Sequence, residues 1–174
     1  DVKNINFNIN VGHYTGAASL FHHYGPGEVA SVDSVESSIY KIHFDYFRST
    51  RTTQSLLRRG SSSYLACGKI LFHISGNYIS DTVPIMLATD AMASNFIFSG
   101  TFKTLAAVPA ISLTTITGKL NLENAKFIVA SGQKVVEATS ASNIYCMNVV
   151  TNSTTTDAEV TEVGQAIVRD ANFV

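Results

Sequence analysis

Few residues in this chain are of a type and spacing that could do chemistry. There are five histidines: His13, His22, His23, His43 and His73. His22 and His23 are adjacent. In a strand they would face opposite sides and could not share an ion, whereas in a loop they could, with His13 as a third ligand. His43 and His73 stand between apolar neighbours, a pattern that puts them on the polar face of strands. The two cysteines, Cys67 and Cys146, are too few for a disulfide scaffold and read as core thiols. A Cys67 nucleophile served by His43 or His73 would need the fold to join residues that the sequence keeps apart. No G-x-S-x-G elbow, P-loop or H-E-x-x-H occurs, and Gly25-Pro26-Gly27 is turn chemistry rather than a phosphate cradle. The expectation is a chain that is not an enzyme and carries no cofactor and no metal.

The basic residues are unevenly spread. Arg48, Arg51, Arg58 and Arg59 fall within twelve residues, with no acid among them, out of 12 Lys and Arg in all. They read either as a solvated loop and helix end or as a contact for RNA phosphate or an acidic neighbouring subunit. Four arginines without base-reading groups would give charge attraction without sequence specificity. Asn152-Ser153-Thr154 forms an N-glycosylation triplet in an expected loop.

The elements that must hold these residues are strands. The chain has 174 residues, the size of one domain spanning 1–174. It is 45% hydrophobic but only 14% charged, with a net charge of −1. That excludes a core-poor disordered chain and a polycation. Ser, Thr and Asn number 19, 17 and 12, so hydroxyls and amides make the surface polar where charge does not. No apolar run is long enough to span a bilayer as a helix, and no membrane partner is expected.

Ile5, Phe7, Ile9 and Val11 alternate with Asn4, Asn6, Asn8 and Asn10, giving a period of two and a first strand. Gly12 to Gly27 reads as a long loop. Tyr40, Ile42, Phe44 and Tyr46 mark a second strand. Between Thr52 and Gly60 the pattern changes: Thr caps, Leu56 and Leu57, then Arg58, Arg59 and Gly60 predict a short helix. Strands then follow at Lys69–Ser75, Val83–Ala88, Asn95–Phe102, Ala110–Thr117, around Leu120 and Leu122, Lys126–Ala130, Asn143–Val150 and Glu159–Val168. No internal repeat is evident. With no long helices between the strands, a parallel βαβ fold is not expected. An antiparallel two-sheet sandwich, jelly roll or immunoglobulin-like, fits the pattern.

The C-terminal third adds a resemblance. The runs from Lys126 to Ala130, Val135 to Ala138, Asn143 to Asn152 and Val163 to Val174 look like the last strands of the small coat protein of comoviruses. These plant viruses belong to the secovirus family and have picornavirus-like capsids. Ala66 to Asn77 is similar to a central strand of that protein, and Val2 to Val11 to its first. The long first loop and the arginine-bearing helix depart from the comovirus pattern. The resemblance implies an all-β, antiparallel, eight-stranded jelly-roll β-sandwich with one or two short helices, cut from a polyprotein. It implies a structural capsid protein found in the virion and, during assembly, in the host cytoplasm. Its partners would be copies of itself around a fivefold axis, a larger companion coat protein in an icosahedral pseudo T=3 shell, and the enclosed positive-strand genomic RNA. The competing expectation is an adhesin or fibre-tip β-sandwich that binds glycans, with Tyr14, Tyr24 and Tyr78 near loops. A Cys or His hydrolase ranks last.

Overall fold

The structure is a computed structural model. It describes residues 4–14, 21–22, 38–52, 55–59, 70–88, 94–116, 118–141, 144–153 and 172–173. Among the described residues thirteen strands run in chain order: β1 Asn4–Tyr14, β2 Phe21–His22, β3 Ser38–Ser49, β4 Leu57–Arg59, β5 Ile70–Ser80, β6 Met86–Ala88, β7 Asn95–Thr104, β8 Ile111–Ile116, β9 Leu120–Ile128, β10 Val136–Ala141, β11 Ile144–Met147, β12 Val150–Thr151 and β13 Asn172–Phe173. Odd-numbered strands up to β9 lie side by side in one sheet, where β11 and β12 join β9, and β13 joins β12. The even-numbered strands β2 to β10 form a second sheet in the order β10-β8-β6-β4-β2. Up to β11 the chain thus visits the two sheets in turn and comes back one strand further along at each pass.

The observed ladders are parallel in both sheets. This overturns the expected antiparallel jelly roll, in either its sandwich or its immunoglobulin-like form. Parallel sheets are the habit of α/β folds, in which a helix makes each crossover. Here a strand of the second sheet stands at each crossover, and no helix occurs among the described residues. The architecture is a stack of coils, a parallel β-solenoid. The expected helix at Thr52–Gly60 is also corrected: Leu57–Arg59 is strand β4, with Leu57 paired to Met86. Leu56 and Leu57 are both buried, which a corner entering a buried strand explains as well as a helical face does. The expected loop at Gly12–Gly27 contains the end of β1 and all of β2; residues 15–20 and 23–27 of it lie outside the described residues, as does the expected strand at Glu159–Val168.

Alternation still fixes which side chains point inward. Four inward columns run down the first sheet, followed by a fifth, hydroxyl-bearing one through Ser49, Ser80 and Thr104. One passes through Tyr40, Phe72, Phe96, Leu120 and Ile144, and the next through Ile42, Ile74, Phe98, Leu122 and Cys146. Another passes through Phe44, Gly76, Gly100 and Ala125, and the fourth through Phe47, Tyr78, Phe102, Phe127 and Thr151. Rings in successive coils lie face to face: Tyr40 on Phe72 at 5.0 Å, Phe72 on Phe96 at 5.2 Å and Phe47 on Tyr78 at 5.6 Å. Leu57, Met86, Ile111, Leu113, Val136 and Ala138 close the core from the second sheet. Parallel in-register stacking thus sets ring on ring in the first and fourth of these columns, where each such aromatic covers its neighbour in the next coil.

An internal repeat, not expected from the sequence, accompanies the stacking. Leu71 pairs with Asn95 and Phe96 with Leu120, the same interval along the chain in each case. Left-handed backbone recurs at that interval: Gly76 (φ 96), Gly100 (φ 116), Asn124 (φ 50) and Asn148 (φ 53). A Cβ on Gly76 would strike the carbonyl oxygen of Phe44, and one on Gly100 that of Gly76. Glycine is therefore required where coils approach this closely. In the next coils Asn takes the conformation instead, and the Asn148 amide donates to Asn124 Oδ1 at 3.0 Å.

Candidate outer-face site

The outward residues of the first sheet make a second set of columns. Lys41, His73, Ile97, Asn121 and Tyr145 form one; His43, Ser75 and Ser99 form another. His43 and His73 thus lie on the polar face, as their spacing predicts. The face carries hydroxyl, amide and imidazole groups at most of the positions that alternate with inward residues, with Ile79 and Ile97 among them.

A bulge gives this face a local centre. Phe44 pairs with Gly76 and Phe47 with Tyr78, so Asp45 and Tyr46 together oppose Asn77. The extra residue turns both Asp45 and Tyr46 outward, and both are exposed, Tyr46 by 47%. Asn77 braces the bulge by donating its amide to the Asp45 carbonyl at 2.9 Å. His43 then bridges two strands. Its Nε2 is 3.1 Å from Asp45 Oδ1 and its Nδ1 is 2.9 Å from Ser75 Oγ. A carboxylate only accepts, so Nε2 carries the proton and donates; Nδ1 then accepts from the Ser75 hydroxyl. A second acceptor, the Ile42 carbonyl, is 3.5 Å from the same hydroxyl. One coil along, His73 Nε2 and Ser99 Oγ lie 3.1 Å apart. The hydroxyl–imidazole pair therefore recurs, and the carboxylate belongs to the bulged coil.

The four arginines do not form one patch. Arg48 donates from Nε and Nη2 to the Asp81 carboxylate at 3.0–3.1 Å. Those hydrogen bonds, with the opposite charge of Asp81, raise the guanidinium above its ordinary pKa. Arg51 is buried, 1% exposed, with Nε donating to Ser49 Oγ at 3.0 Å. Arg58 and Arg59 lie on β4 in the other sheet. Arg51 lies close to Tyr78, whose phenol burial pushes above its ordinary pKa while the charge of Arg51 pulls it back. Cys146 is a buried thiol in an inward column, and Cys67 lies outside the described residues. His13 and His22 sit on β1 and β2, while His23 lies outside the described residues. No metal-binding group of three His, Cys, Asp or Glu occurs among the described residues.

The Asn152 triplet has a structural use. Its side chain accepts from Val129 N at 2.8 Å and donates to Val129 O at 2.9 Å. The amide replaces a strand partner for the coil above. Sequence reasoning missed the Asp45–His43–Ser75 group because Ser75 lies a whole coil beyond His43 in the chain and only the parallel register joins them. The one available signal was the crowding of His43, Asp45 and Tyr46 in an alternating strand, where an extra residue disturbs the period.

Comparison with models of protein families, with curated proteins and with solved structures finds no match.

Proposed function

We propose that this chain is a rigid binding module whose outer face on the first sheet holds an extended glycan. The observation that carries this reading is the face itself: a strip of Asn, Ser, Thr, His and Lys side chains, with Ile79 and Ile97 among them and Tyr46 and Tyr145 exposed on it. Sugar hydroxyls need many donors and acceptors, while the C–H face of a sugar ring stacks on an aromatic ring. Strand rows repeat every ~4.8 Å, so a flat parallel face offers a polymer the same groups again and again. The low charge, 14%, limits the water that must be stripped from the face on binding. Asn77, Thr101 and Lys126 lie in register on neighbouring strands and supply the polar contacts, with Tyr46 as the platform.

The coat-protein role expected from the resemblance drew its geometry from a jelly roll. Parallel coils remove that support, and the glycan reading does not need it. This proposal keeps the adhesin or fibre expectation and replaces its sandwich with a stack. A glycan array probed with the whole domain tests it. Binding to a related set of polymers that is lost in Tyr46→Ala and weakened in Asn77→Ala supports the reading. A blank array, or binding indifferent to both substitutions, removes it.

A further inference from the structure

We infer that Ser75, His43 and Asp45 form an acyl-transfer site that cleaves O-acyl esters carried on the glycan. The choice of polymer rests on the proposed function, whereas the chemistry rests on this site alone. A serine hydroxyl is a weak nucleophile unless a base takes its proton. His43 Nδ1 is 2.9 Å from Ser75 Oγ, within the reach required of a general base. Asp45, 3.1 Å from Nε2, holds the ring in the tautomer that leaves Nδ1 bare and stabilises the cation that forms. Asp45 is a positioning residue, placed by the bulge.

In the first half-reaction Ser75 Oγ bonds to the acyl carbon while its proton passes to His43 Nδ1. The bond from that carbon to the sugar oxygen then breaks, and the sugar oxygen takes the proton from His43. In the second, water gives a proton to His43 and bonds to the acyl carbon. The carboxylic acid departs, and the Ser75 hydroxyl recovers its proton. Lys41 pairs with His73 and lies diagonal to Ser75 in the register, within reach of a long side chain. Its ammonium is the cation placed to meet the negative charge that grows on the acyl oxygen. The site is open: the side chains of His43 and Asp45 are 48% and 59% exposed. An open face admits an ester on a polymer, which a closed pocket would refuse, and it costs rate because water weakens the electrostatic help. The neighbouring Ser99 and His73 are a built-in control: there a hydroxyl–imidazole contact is made through Nε2 to a diagonal serine, and no carboxylate is hydrogen-bonded to the ring among the described residues.

The test uses the whole domain with p-nitrophenyl acetate, acetylated xylan and a fluorophosphonate probe. The expected result is label on Ser75 by peptide mapping and release of nitrophenolate and of acetate. Ester cleavage should fall about a hundredfold in Ser75→Ala and His43→Ala, as expected for general-base catalysis, and by less in Asp45→Asn. Ser99→Ala should keep the rate. Circular dichroism on each variant separates lost folding from lost chemistry, and rescue of labelling in Ser75→Cys with a thiol-directed acylating probe gives a second readout. No label on Ser75, or a rate unchanged in Ser75→Ala, overturns the inference. Cleavage of the small ester with a blank glycan array would keep the site and discard the glycan. Clean glycan binding with no ester cleavage would do the reverse.

Discussion

Two halves of the stack hold the same register with different lengths of chain. From Leu71 onward, stacked partners in the first sheet keep a nearly constant separation along the chain, as in Leu71 with Asn95 and Phe102 with Phe127. Before that point the separation is longer: Asn4 pairs with Ile39 and Ile39 with Leu71. Across that longer separation β1 still meets β3 in unbroken register from Asn4 to Ile9. Register is therefore set by the alternating strand residues and tolerates variation in the connections. The halves also differ in burial. Phe98 is fully buried between Ile74 and Leu122, whereas Phe7, at the head of the same column, is 37% exposed. Among the described strands, β7 and β9 have a neighbour on each side, and β1 has one. Stability should accordingly be concentrated in the tight coils and decline towards β1.

The largest effect should come from the close approach of Gly100 to Gly76, between two tight coils. Gly100→Ala puts a methyl against the Gly76 carbonyl at a φ of 116° and should cost about 4 kcal/mol or more, read from the urea midpoint. Phe98→Ala should cost about 3–5 kcal/mol by leaving a cavity, and Phe7→Ala clearly less; equal losses would erase the distinction between the halves. Asn148→Ala should cost about 1–2 kcal/mol, from the lost hydrogen bond to Asn124 and the left-handed backbone. Asn148→Gly should recover part of that, since glycine accepts the backbone. Tyr78, at the join between wide and tight coils, gives a pH effect. Burial holds its folded pKa above the ordinary 10.0. Its contribution is therefore complete below about pH 10 and is lost as the pH rises through the folded value. Tyr78→Phe should flatten that alkaline decline in stability measured from pH 9 to 12. Smallest of all should be Arg48→Ala, because its exposed pair with Asp81 is screened by water and salt; the thermal midpoint should barely move.

The sequence showed strands but not their direction. A period of two reports which side chains share a face, and it is the same for parallel and antiparallel partners. Asn4 to Val11, Tyr40 to Tyr46 and Ile70 to Ile74 were therefore legible as strands, while the sheet they build was not. The strand at Val136–Ala141 carried Glu137, Thr139 and Ser140, too little apolar character to stand out. The strand expected at Lys69–Ser75 runs on through Gly76 and Asn77, opposite the bulge, to Ser80, since glycine serves a close approach as readily as a turn. The repeat was hidden because it resides in conformation: Gly76, Gly100, Asn124 and Asn148 share a left-handed backbone and not one residue type. The visible traces of it are short: Phe72, Ser75 and Gly76 recur as Phe96, Ser99 and Gly100, and Val83-Pro84 as Val108-Pro109. Of the outer-face group, the sequence exposed the positions of His43 and His73. It could not join them to Ser75 and Ser99 without the pairing.

The interval from one left-handed position to the next has a bearing on how such a gene can change length. Residues 96–119 constitute one full circuit, since Phe96 pairs with Leu120 and the inward columns resume in the same order. A tandem duplication of that segment would present both of its neighbours with surfaces they already fit. The stack would grow by one strand spacing, about 4.8 Å, and the outward side chains of the other coils would stay as they are. Extension by whole turns is thus open to this lineage through a single recombination event, a route closed to folds whose layers each differ in shape.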